Sequence, residues 1–285
     1  MTVEKPRKSS MNQILREHGF RFKKKWGQNF ISDRNILDRI VQAAEIQPGD
    51  GVIEIGPGAG TLTRALAEAG AQVVALEIDQ TLLPILEEFL SGLDVKVIEA
   101  DVLKSDLAKI AAEQSLKRPY KIVANLPYYI TTPIIMKILE SDLDFERLVI
   151  MVQWEVAKRL TAQAGSKDYG AITLAIQYYT EGKILFKVPR QVFNPAPEVD
   201  SAVISLCKRE QPPVDVADLQ LMFKLIKAAF GQRRKTVLNA LSSGGLGLER
   251  EQIAQRLELA GIDPKRRGET LTIDEFARLE NIWLK

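Results

Sequence analysis

Between residues 50 and 153 the apolar positions alternate between two spacings. Runs of four or five mostly apolar residues have the length of buried strands, and they lie at 51–55, 73–77, 95–99, 121–124 and 148–152. The segments between them have helical spacing, as at 60–69 and 80–90, and a further helix is predicted to open at Pro133, since proline is favoured in the first helical turn. This alternation predicts a mainly parallel, doubly wound sheet.

The spacing changes after residue 153. A helix is predicted at 154–161, extended segments at 171–179 and 182–188, and a strand at 201–206, which suggests an antiparallel end to the parallel sheet. Helical spacing continues over 217–285 and is interrupted by glycine-containing turns at 242–245 and 261–264. The pattern therefore predicts an N-terminal segment over 1–27, an α/β domain over 28–208 and a small all-α domain over 209–285.

Composition excludes several kinds of site. The chain has 285 residues with one cysteine and one histidine, so neither an internal disulfide nor a structural zinc site is expected. No apolar stretch approaches the ~18 residues that span a bilayer, and residues 1–10 lack the apolar core of a signal peptide. We therefore expect a cytoplasmic protein that holds no metal and does not enter a membrane.

The charges are distributed unevenly. Residues 1–27 carry eight Lys or Arg against two Glu, residues 28–207 carry 17 basic against 24 acidic residues, and residues 208–285 carry 14 against 11. Basic ends around an acidic body suggest an anionic polymer that is held at the edges. Two triplets beside an aromatic residue are predicted to bind the phosphates of such a polymer, the second of them from a helix: Lys23, Lys24 and Lys25, and Arg233, Arg234 and Lys235. The alternative is that both are ordinary solvated charge runs.

A glycine-rich turn follows the first predicted strand. Gly56, Gly58 and Gly60 alternate with other residues, which lets the backbone approach a ligand closely. The spacing differs from the Gly-x-Gly-x-x-Gly of dinucleotide-binding folds, which disfavours a pyrophosphate ligand. Glu77 ends the second strand and can accept from both hydroxyls of a ribose, and Asp101 follows the third strand and can accept from an adenine amino group. These residues together describe a site for an adenosyl group.

The segment Asn125-Leu126-Pro127-Tyr128 follows the strand predicted at 121–124 and should lie at the carboxyl edge of the sheet, where open α/β sheets bind ligands. The Asn125 side chain and the Leu126 carbonyl, which Pro127 helps to aim, can accept both N–H bonds of an amine. Tyr128 offers a flat face for a base. Alone, such a segment is more often an ordinary proline turn. Beside an adenosyl site it predicts S-adenosylmethionine as the cofactor, because methyl transfer from a sulfonium needs little beyond positioning.

Nearly the whole chain resembles the ribosomal RNA adenine-N6 dimethyltransferase family, and within it the small-subunit (16S) branch whose loss gives kasugamycin resistance. The similar segments lie at 27–31, 54–60, 76–79, 101, 125–128, 192–201, 229–236 and 267–271. The resemblance implies a Rossmann-like, class I S-adenosylmethionine-dependent methyltransferase sheet with a terminal antiparallel strand, followed by a helical C-terminal domain that binds RNA.

The resemblance also implies residue roles and a substrate. Phe193 would lie on or near the face of the target base opposite Tyr128, which completes a catalytic set of Asn125, Leu126, Pro127, Tyr128 and Phe193. The implied cofactor-binding set is Asn29, Ile31, Gly56, Gly58, Glu77, Asp101 and Asn125. The substrate would be two adjacent adenosines in the 3′-terminal hairpin loop of small-subunit rRNA within an immature 30S subunit. Each adenosine would receive two methyl groups, and the enzyme would be a monomer. Members of the family also act in late assembly of the small subunit.

Three alternatives have distinct signatures. A large-subunit rRNA methyltransferase of the macrolide-resistance type would share Asn125–Tyr128 but not the segment 193–201 or the C-terminal segment. A nucleotide-binding oxidoreductase would use the glycine turn but would give Asn125–Tyr128 no role. A non-catalytic assembly or transcription factor on the same fold is disfavoured because Glu77, Asn125 and Tyr128 are all present. The sequence leaves open whether Asp79 caps a helix or belongs to the site.

Overall fold

The computed structural model describes residues 11–23, 28–127 and 130–284. The strands are β1 (Phe30–Ile31), β2 (Gly51–Ile55), β3 (Gln72–Glu77), β4 (Val95–Glu99), β5 (Tyr120–Asn125), β6 (Phe145–Gln153), β7 (Thr180–Val188), β8 (Phe193–Asn194) and β9 (Ser201–Lys208). The α-helices are α1 (Met11–Glu17), α2 (Arg34–Ala43), α3 (Thr61–Glu68), α4 (Leu83–Phe89), α5 (Leu107–Glu113), α6 (Thr131–Leu139), α7 (Trp154–Leu160), α8 (Ala171–Tyr179), α9 (Leu219–Gly231), α10 (Val237–Ser242), α11 (Arg250–Leu259) and α12 (Ile273–Trp283).

The chain divides into two compact units. The sheet unit ends at Trp154 and resumes over Ile184–Cys207, and the helical unit comprises Glu155–Lys183 and the residues from Lys208 onward. The predicted boundaries placed 155–183 in the α/β domain, whereas in the structure this segment packs with the C-terminal helices.

Seven strands of the described chain form one sheet in the order β4-β3-β2-β5-β6-β9-β7. The pairs from β4 to β6 are parallel, and β9 runs antiparallel to β6. This confirms the predicted parallel sheet with an antiparallel end. The chain passes outward from β2 through β3 and β4 and then returns to the other side of β2 as β5, so the carboxyl ends of β2 and β5 flank a topological switch point.

The central strands are apolar because both of their faces are covered. All five residues of β2 are buried, and so are all residues of β5 except its last, Asn125. Leu66 of α3, Val73 of β3 and Val123 of β5 belong to one buried cluster on one side of the sheet. Parallel strands buried on both faces need nearly continuous apolar sequence, and their polar residues are left at the strand ends. The fold thus gathers the functional candidates at the carboxyl edge.

A second, two-stranded sheet joins the segment before α2 to the segment before β9. Strand β1 pairs antiparallel with β8, with Phe30 opposite Asn194 and Ile31 opposite Phe193. This pairing fixes the backbone of residues 30 and 31 next to the carboxyl edge of the large sheet.

The helical unit has its own core. Helices α8 to α12 contribute Leu174, Met222, Leu241, Leu257 and Phe276 to one buried cluster. The segment 171–179 was predicted to be extended, and this prediction is wrong, because the segment forms α8. Its Gly170 N–H donates to the Thr173 hydroxyl at 3.1 Å, which helps to cap the first turn.

No helix within 11–23, 28–127 or 130–284 is both long enough and apolar enough to cross a bilayer.

Candidate active site

A cavity of about 290 Å³ opens at the carboxyl ends of β2, β3 and β5 in the sheet unit. This is the topological switch point of the sheet, the usual ligand position in such folds. Every residue predicted to bind the cofactor lies on its wall, namely Asn29, Ile31, Gly56, Gly58, Glu77, Asp101 and Asn125. Leu126 and Pro127 also line it. Five separate segments of the chain therefore meet at one site.

The glycine turn provides an open floor to this cavity. Gly56 and Gly58 have positive φ angles of 70° and 55°, which disfavour any residue with a Cβ atom. A Cβ on Gly58 would also lie 2.8 Å from the Phe30 ring, whereas a Cβ on Gly56 would meet no other atom within 4 Å. Since Gly56 lines the cavity, the space beside it is available to a ligand.

Glu77 connects two segments of the cavity wall through hydrogen bonds. Its carboxylate accepts from the Asp79 N–H at 2.8 Å and from the Gly58 N–H at 3.2 Å, which connects the end of β3 to the glycine turn. The side chain is 5% exposed, and burial raises its pKa despite these hydrogen bonds. Each carboxylate oxygen can accept a further bond, so Glu77 retains acceptors for ligand hydroxyls.

Apolar side chains flank the two acidic residues at the strand ends. Ile78 is 41% exposed and Leu103 is 38% exposed, and both line the cavity near Glu77 and Asp101. The Asp101 carboxylate accepts from the Leu103 N–H at 3.0 Å, so part of its acceptor capacity remains. Exposed apolar surface beside an acceptor suits a flat ring with an amino edge. Ile78 and Leu103 were not predicted to belong to the site, although each lies within two residues of a predicted site carboxylate.

Asn125 presents one defined end of its amide to the cavity. Its Nδ2 donates to the Asn29 carbonyl at 3.1 Å. No described residue donates to its Oδ1, which leaves this oxygen as an acceptor. The orientation required for accepting an amine N–H is therefore set by the protein itself.

The turn after Asn125 is anchored from both sides. The Leu126 N–H donates to the Met151 carbonyl at 3.3 Å, and the Pro127 carbonyl accepts from the Ile130 N–H and the Thr131 hydroxyl. Among the hydrogen bonds of the described residues, none ends on the Leu126 carbonyl, so this oxygen is also available as an acceptor as far as those residues are concerned. Tyr128 lies outside the described residues, and its stacking stays a prediction.

A third carboxyl group lies deeper in the cavity. Glu54 in β2 is 1% exposed, and its Oε2 has no hydrogen-bond partner among the described residues. Burial, with a contribution from the negative charge of Glu77, raises its pKa to about 8. A carboxyl group with this pKa is mostly protonated at pH 7 in the cofactor-free protein. Glu54 begins the family-like segment 54–60, but a buried strand gives no sign that one of its residues faces a cavity.

Asp79 caps a helix and also holds the N-terminal segment. Its carboxylate accepts from the Thr81 N–H at 3.1 Å at the start of the 3₁₀ turn Gln80–Leu82. It also accepts from Lys23 Nζ at 2.6 Å and from Gln28 Nε2 at 2.8 Å. Asp79 is not on the cavity wall, but Gln28 is. Asp79 is therefore a helix cap, the first of the two alternatives, and it also binds the side chains of Lys23 and Gln28.

Phe193 is buried in the apolar core of the sheet unit. The residue is 5% exposed, belongs to the apolar cluster on one face of the sheet and pairs with Ile31. It does not belong to the described wall of the cavity. Its predicted contact with the target base stays a prediction that requires the ring to become accessible.

The basic triplets differ from their predicted settings. Arg233, Arg234 and Lys235 lie in the turn between α9 and α10, so the prediction that they lie on a helix is wrong. Arg233 pairs with Glu269 at 2.8 Å and also donates to the carbonyls of Lys167 and Tyr169. Arg234 and Lys235 are exposed.

In the first triplet, Lys23 is paired with Asp79, as described above. Lys24 and Lys25 lie outside the described residues.

Comparison with known proteins gives one consistent family. A sequence model described as "Ribosomal RNA adenine dimethylase" matches residues 19–285. Proteins named ribosomal RNA small subunit methyltransferase A are similar over nearly their whole length. The one from Alkaliphilus metalliredigens is 53% identical over 272 residues, covering 95% of each chain, and the one from Geobacillus thermodenitrificans is 54% identical over 273 residues, covering 94% of this chain and 93% of the relative.

Two solved structures are similar in fold and sequence. A dimethyladenosine transferase from Plasmodium falciparum superposes with a TM-score of 0.74 at 25% identity, covering 88% of this chain and 95% of that one. The 23S rRNA methyltransferase ErmE superposes with a TM-score of 0.66 at 29% identity, covering 90% of this chain and all of that one.

Proposed function

The chain belongs to the ribosomal RNA adenine dimethylase family, and from this premise and the geometry of the site we propose that it transfers methyl groups from S-adenosylmethionine to the N6 amines of adenosines in small-subunit rRNA. The observation that carries the proposal is the Asn125 amide. Its Nδ2 is held by the Asn29 carbonyl, so its Oδ1 is directed as an acceptor at the edge of a cavity floored by the glycine turn.

The cavity fits S-adenosylmethionine in three respects. The open space beside Gly56 allows an extended ligand to cross the turn. Glu77 would accept from the ribose hydroxyls and Asp101 from the adenine amino group, and Ile78 and Leu103 offer apolar surface beside these two acceptors. When bound, the cofactor would supply an electrophilic methyl group on a sulfonium.

Asn125 and the Leu126 carbonyl would prepare the amine for attack. The lone pair of an adenine amino nitrogen is delocalised into the ring, so the nitrogen is a poor nucleophile. Two acceptors on its N–H bonds favour a more tetrahedral nitrogen and stabilise the positive charge that develops during transfer, in the way that an oxyanion hole stabilises negative charge. The methylated nitrogen is acidic and can release its proton to water, so no strong base is required. Tyr128 would stack on the base and offset part of the cost of turning it out of its stack, about 1–3 kcal/mol.

The extent of similarity favours a small-subunit substrate over a large-subunit one. Relatives at 53% and 54% identity over nearly the full length carry the small-subunit name, whereas the 23S enzyme is 29% identical. We extend the proposal to two adjacent adenosines of the 3′-terminal hairpin loop, each dimethylated in an immature 30S subunit in the bacterial cytoplasm. We also propose an additional role in late assembly of the small subunit.

The test is methyl transfer to immature small subunits, read by nuclease digestion and mass spectrometry. The enzyme should yield N6,N6-dimethyladenosine at two adjacent positions, and Asn125→Ala should lower turnover about a hundred- to a thousandfold, as for removal of one oxyanion-hole donor. Asn35→Ala, the same substitution at an exposed position of α2, is the matched control and should leave turnover unchanged. Transfer to 23S rRNA fragments but not to small subunits would favour the large-subunit alternative. Wild-type turnover by Asn125→Ala would refute the proposed role of the amide.

A further inference from the structure

The carboxylate of Asp79 lies at the centre of a hydrogen-bonded group beside the cavity. Asp79 is 4% exposed and accepts from the side chains of Lys23 and Gln28, while Lys23 Nζ also donates to the Thr81 hydroxyl at 2.9 Å. Gln28 uses both ends of its amide, because its Oε1 accepts from the Lys23 N–H at 2.8 Å. We call Lys23, Gln28 and Asp79 the Asp79 latch.

The charge on Asp79 suits this arrangement. Burial would by itself raise the pKa of the carboxyl group, but the hydrogen bonds from Lys23, Thr81 and Gln28 outweigh burial and hold the pKa below its ordinary value. The carboxylate is therefore ionised at neutral pH, and both of its oxygens act as acceptors.

The latch is one residue away from the contact that orients Asn125. Gln28 is bonded to Asp79, and the next residue, Asn29, provides the carbonyl that accepts from Asn125 Nδ2. On the other side, Ile31 is fixed by its pairing with Phe193. The backbone that carries the Asn29 carbonyl is thus held at both ends, by the latch and by β1.

We propose that Asp79 and Gln28 are positioning residues for methyl transfer: they hold the Asn29 carbonyl where it selects the orientation of the Asn125 amide. Without this carbonyl the amide can rotate by 180° and present its NH₂ group to the substrate amine. A donor facing a donor cannot stabilise the positive charge that develops on the amine during transfer. The inference rests on the proposed function, since it concerns the residue assigned to the amine.

An exchange of partners tests the latch directly. Asp79→Asn and Gln28→Glu each create a mismatch, two NH₂ groups in the first variant and two carboxylates in the second. In the double variant the new asparagine amide can donate to the new glutamate carboxylate, which can still accept from the Lys23 N–H. Asparagine also remains a good helix N-cap at residue 79, so the cap is preserved.

We expect each single variant to lower turnover about tenfold at saturating cofactor and RNA, as when one hydrogen bond to a charged group is lost, and the double variant to recover most of it. The KM for RNA should stay unchanged, since a positioning role affects turnover. Gln42→Glu on the exposed surface of α2 is the matched control and should behave as wild type. Single variants with wild-type turnover, or a double variant worse than both, would overturn the proposal.

A second measurement separates positioning from general damage to the site. Aspartate at position 125 has two acceptor oxygens and no donor, so the Asn29 carbonyl can no longer orient it. Gln28→Glu should therefore cost about tenfold in the wild-type background and nothing further in Asn125→Asp. Equal losses in both backgrounds would assign the latch a merely structural role. If Asn125→Ala retains full turnover, the proposed function itself fails. Failure of the latch and failure of the proposed function therefore give different results.

Discussion

Replacing Glu54 by glutamine tests whether a buried carboxyl group is neutral in the folded, cofactor-free protein. Burial and the charge of Glu77 raise the pKa of Glu54 from 4.5 to about 8. A carboxyl group with a raised pKa keeps a proton in the folded state that it releases on unfolding at neutral pH. Its contribution to stability is therefore fully present at acid pH and is lost as the pH rises from about 5 to about 8.

The size of the effect follows from one proton. A difference of one bound proton changes the free energy of unfolding by about 1.4 kcal/mol per pH unit, hence by about 2 kcal/mol between pH 6 and pH 7.5. For a unit of this size, that corresponds to roughly 4–8 °C in Tm. Glutamine has the shape of the neutral carboxyl group and does not titrate, so Glu54→Gln should lack this component. Glu77, whose pKa burial also raises, is present in both proteins, so the difference between them reports on Glu54 together with its interaction with Glu77.

Calorimetric unfolding without cofactor at the two pH values provides the measurement. The matched control is Glu87→Gln, because Glu87 is exposed on α4 of the same unit. Wild type and Glu87→Gln should lose the stated stability between pH 6 and pH 7.5, and Glu54→Gln should lose much less. The same pH dependence in all three proteins would show that Glu54 is already ionised in the folded state and would refute the reasoning.

Three further predictions concern the cofactor and the RNA. Glu77→Ala should weaken S-adenosylhomocysteine binding by about ten- to a hundredfold in calorimetry, because the ribose hydroxyls lose a charged acceptor, and should leave RNA affinity unchanged. Unchanged cofactor affinity would show that Glu77 does not bind the cofactor. Gly56→Ala should lower the Tm, because residue 56 has a φ of 70°, and should lower cofactor affinity, because residue 56 lies where the ligand would cross the glycine turn. Unaltered cofactor affinity would show that the ligand does not cross there. Replacing Arg234 and Lys235 by alanine should reduce the salt dependence of subunit binding by roughly one unit of slope per lost contact, whereas an unchanged slope would place the RNA elsewhere.

The central sheet could be predicted because its determinants are local. Each strand of the parallel part is a short apolar run with polar residues at its carboxyl end, and parallel pairing then brings those ends to one edge. Glu77, Asp101 and Asn125 were identified in this way, as the residues at or just after β3, β4 and β5. The cavity wall confirms that they meet, although their contacts with a ligand remain proposals.

Helix α8 could not be assigned reliably because two patterns coincide. Ala171, Leu174, Ala175 and Tyr178 have the i, i+3, i+4, i+7 spacing of one helical face, and Leu174, Ala175 and Tyr178 are buried. The intervening Ile172, Thr173 and Ile176 are β-branched and favour a strand. The packing of the helical unit decides between them, and that packing depends on residues more than 40 positions further along the chain.

The Asp79 latch shows which part of a site lies beyond sequence patterns. Lys23 and Asp79 are 56 residues apart, and neither belongs to a motif that requires the other. Aspartate before a helix is already explained by capping, so nothing in the sequence suggests that it has additional partners. Glu54 was overlooked for the related reason that a strand buried on both faces does not reveal which residue borders a cavity.

The two basic triplets show how far charge counting can support RNA binding. Each contributes one cation to an ion pair within the protein, Lys23 with Asp79 and Arg233 with Glu269. A cation held by a carboxylate and neighbouring carbonyls releases fewer counterions on meeting a phosphate than a solvated one does, because its charge is already compensated. The six predicted residues should therefore give RNA binding a smaller salt dependence than six free cations would. Among the described residues of the two triplets, Arg234 and Lys235 should contribute to that salt dependence. Arg233→Ala should accordingly lower the Tm of the helical unit more than it alters the salt slope of RNA binding, and the opposite outcome would restore Arg233 to the RNA-binding set.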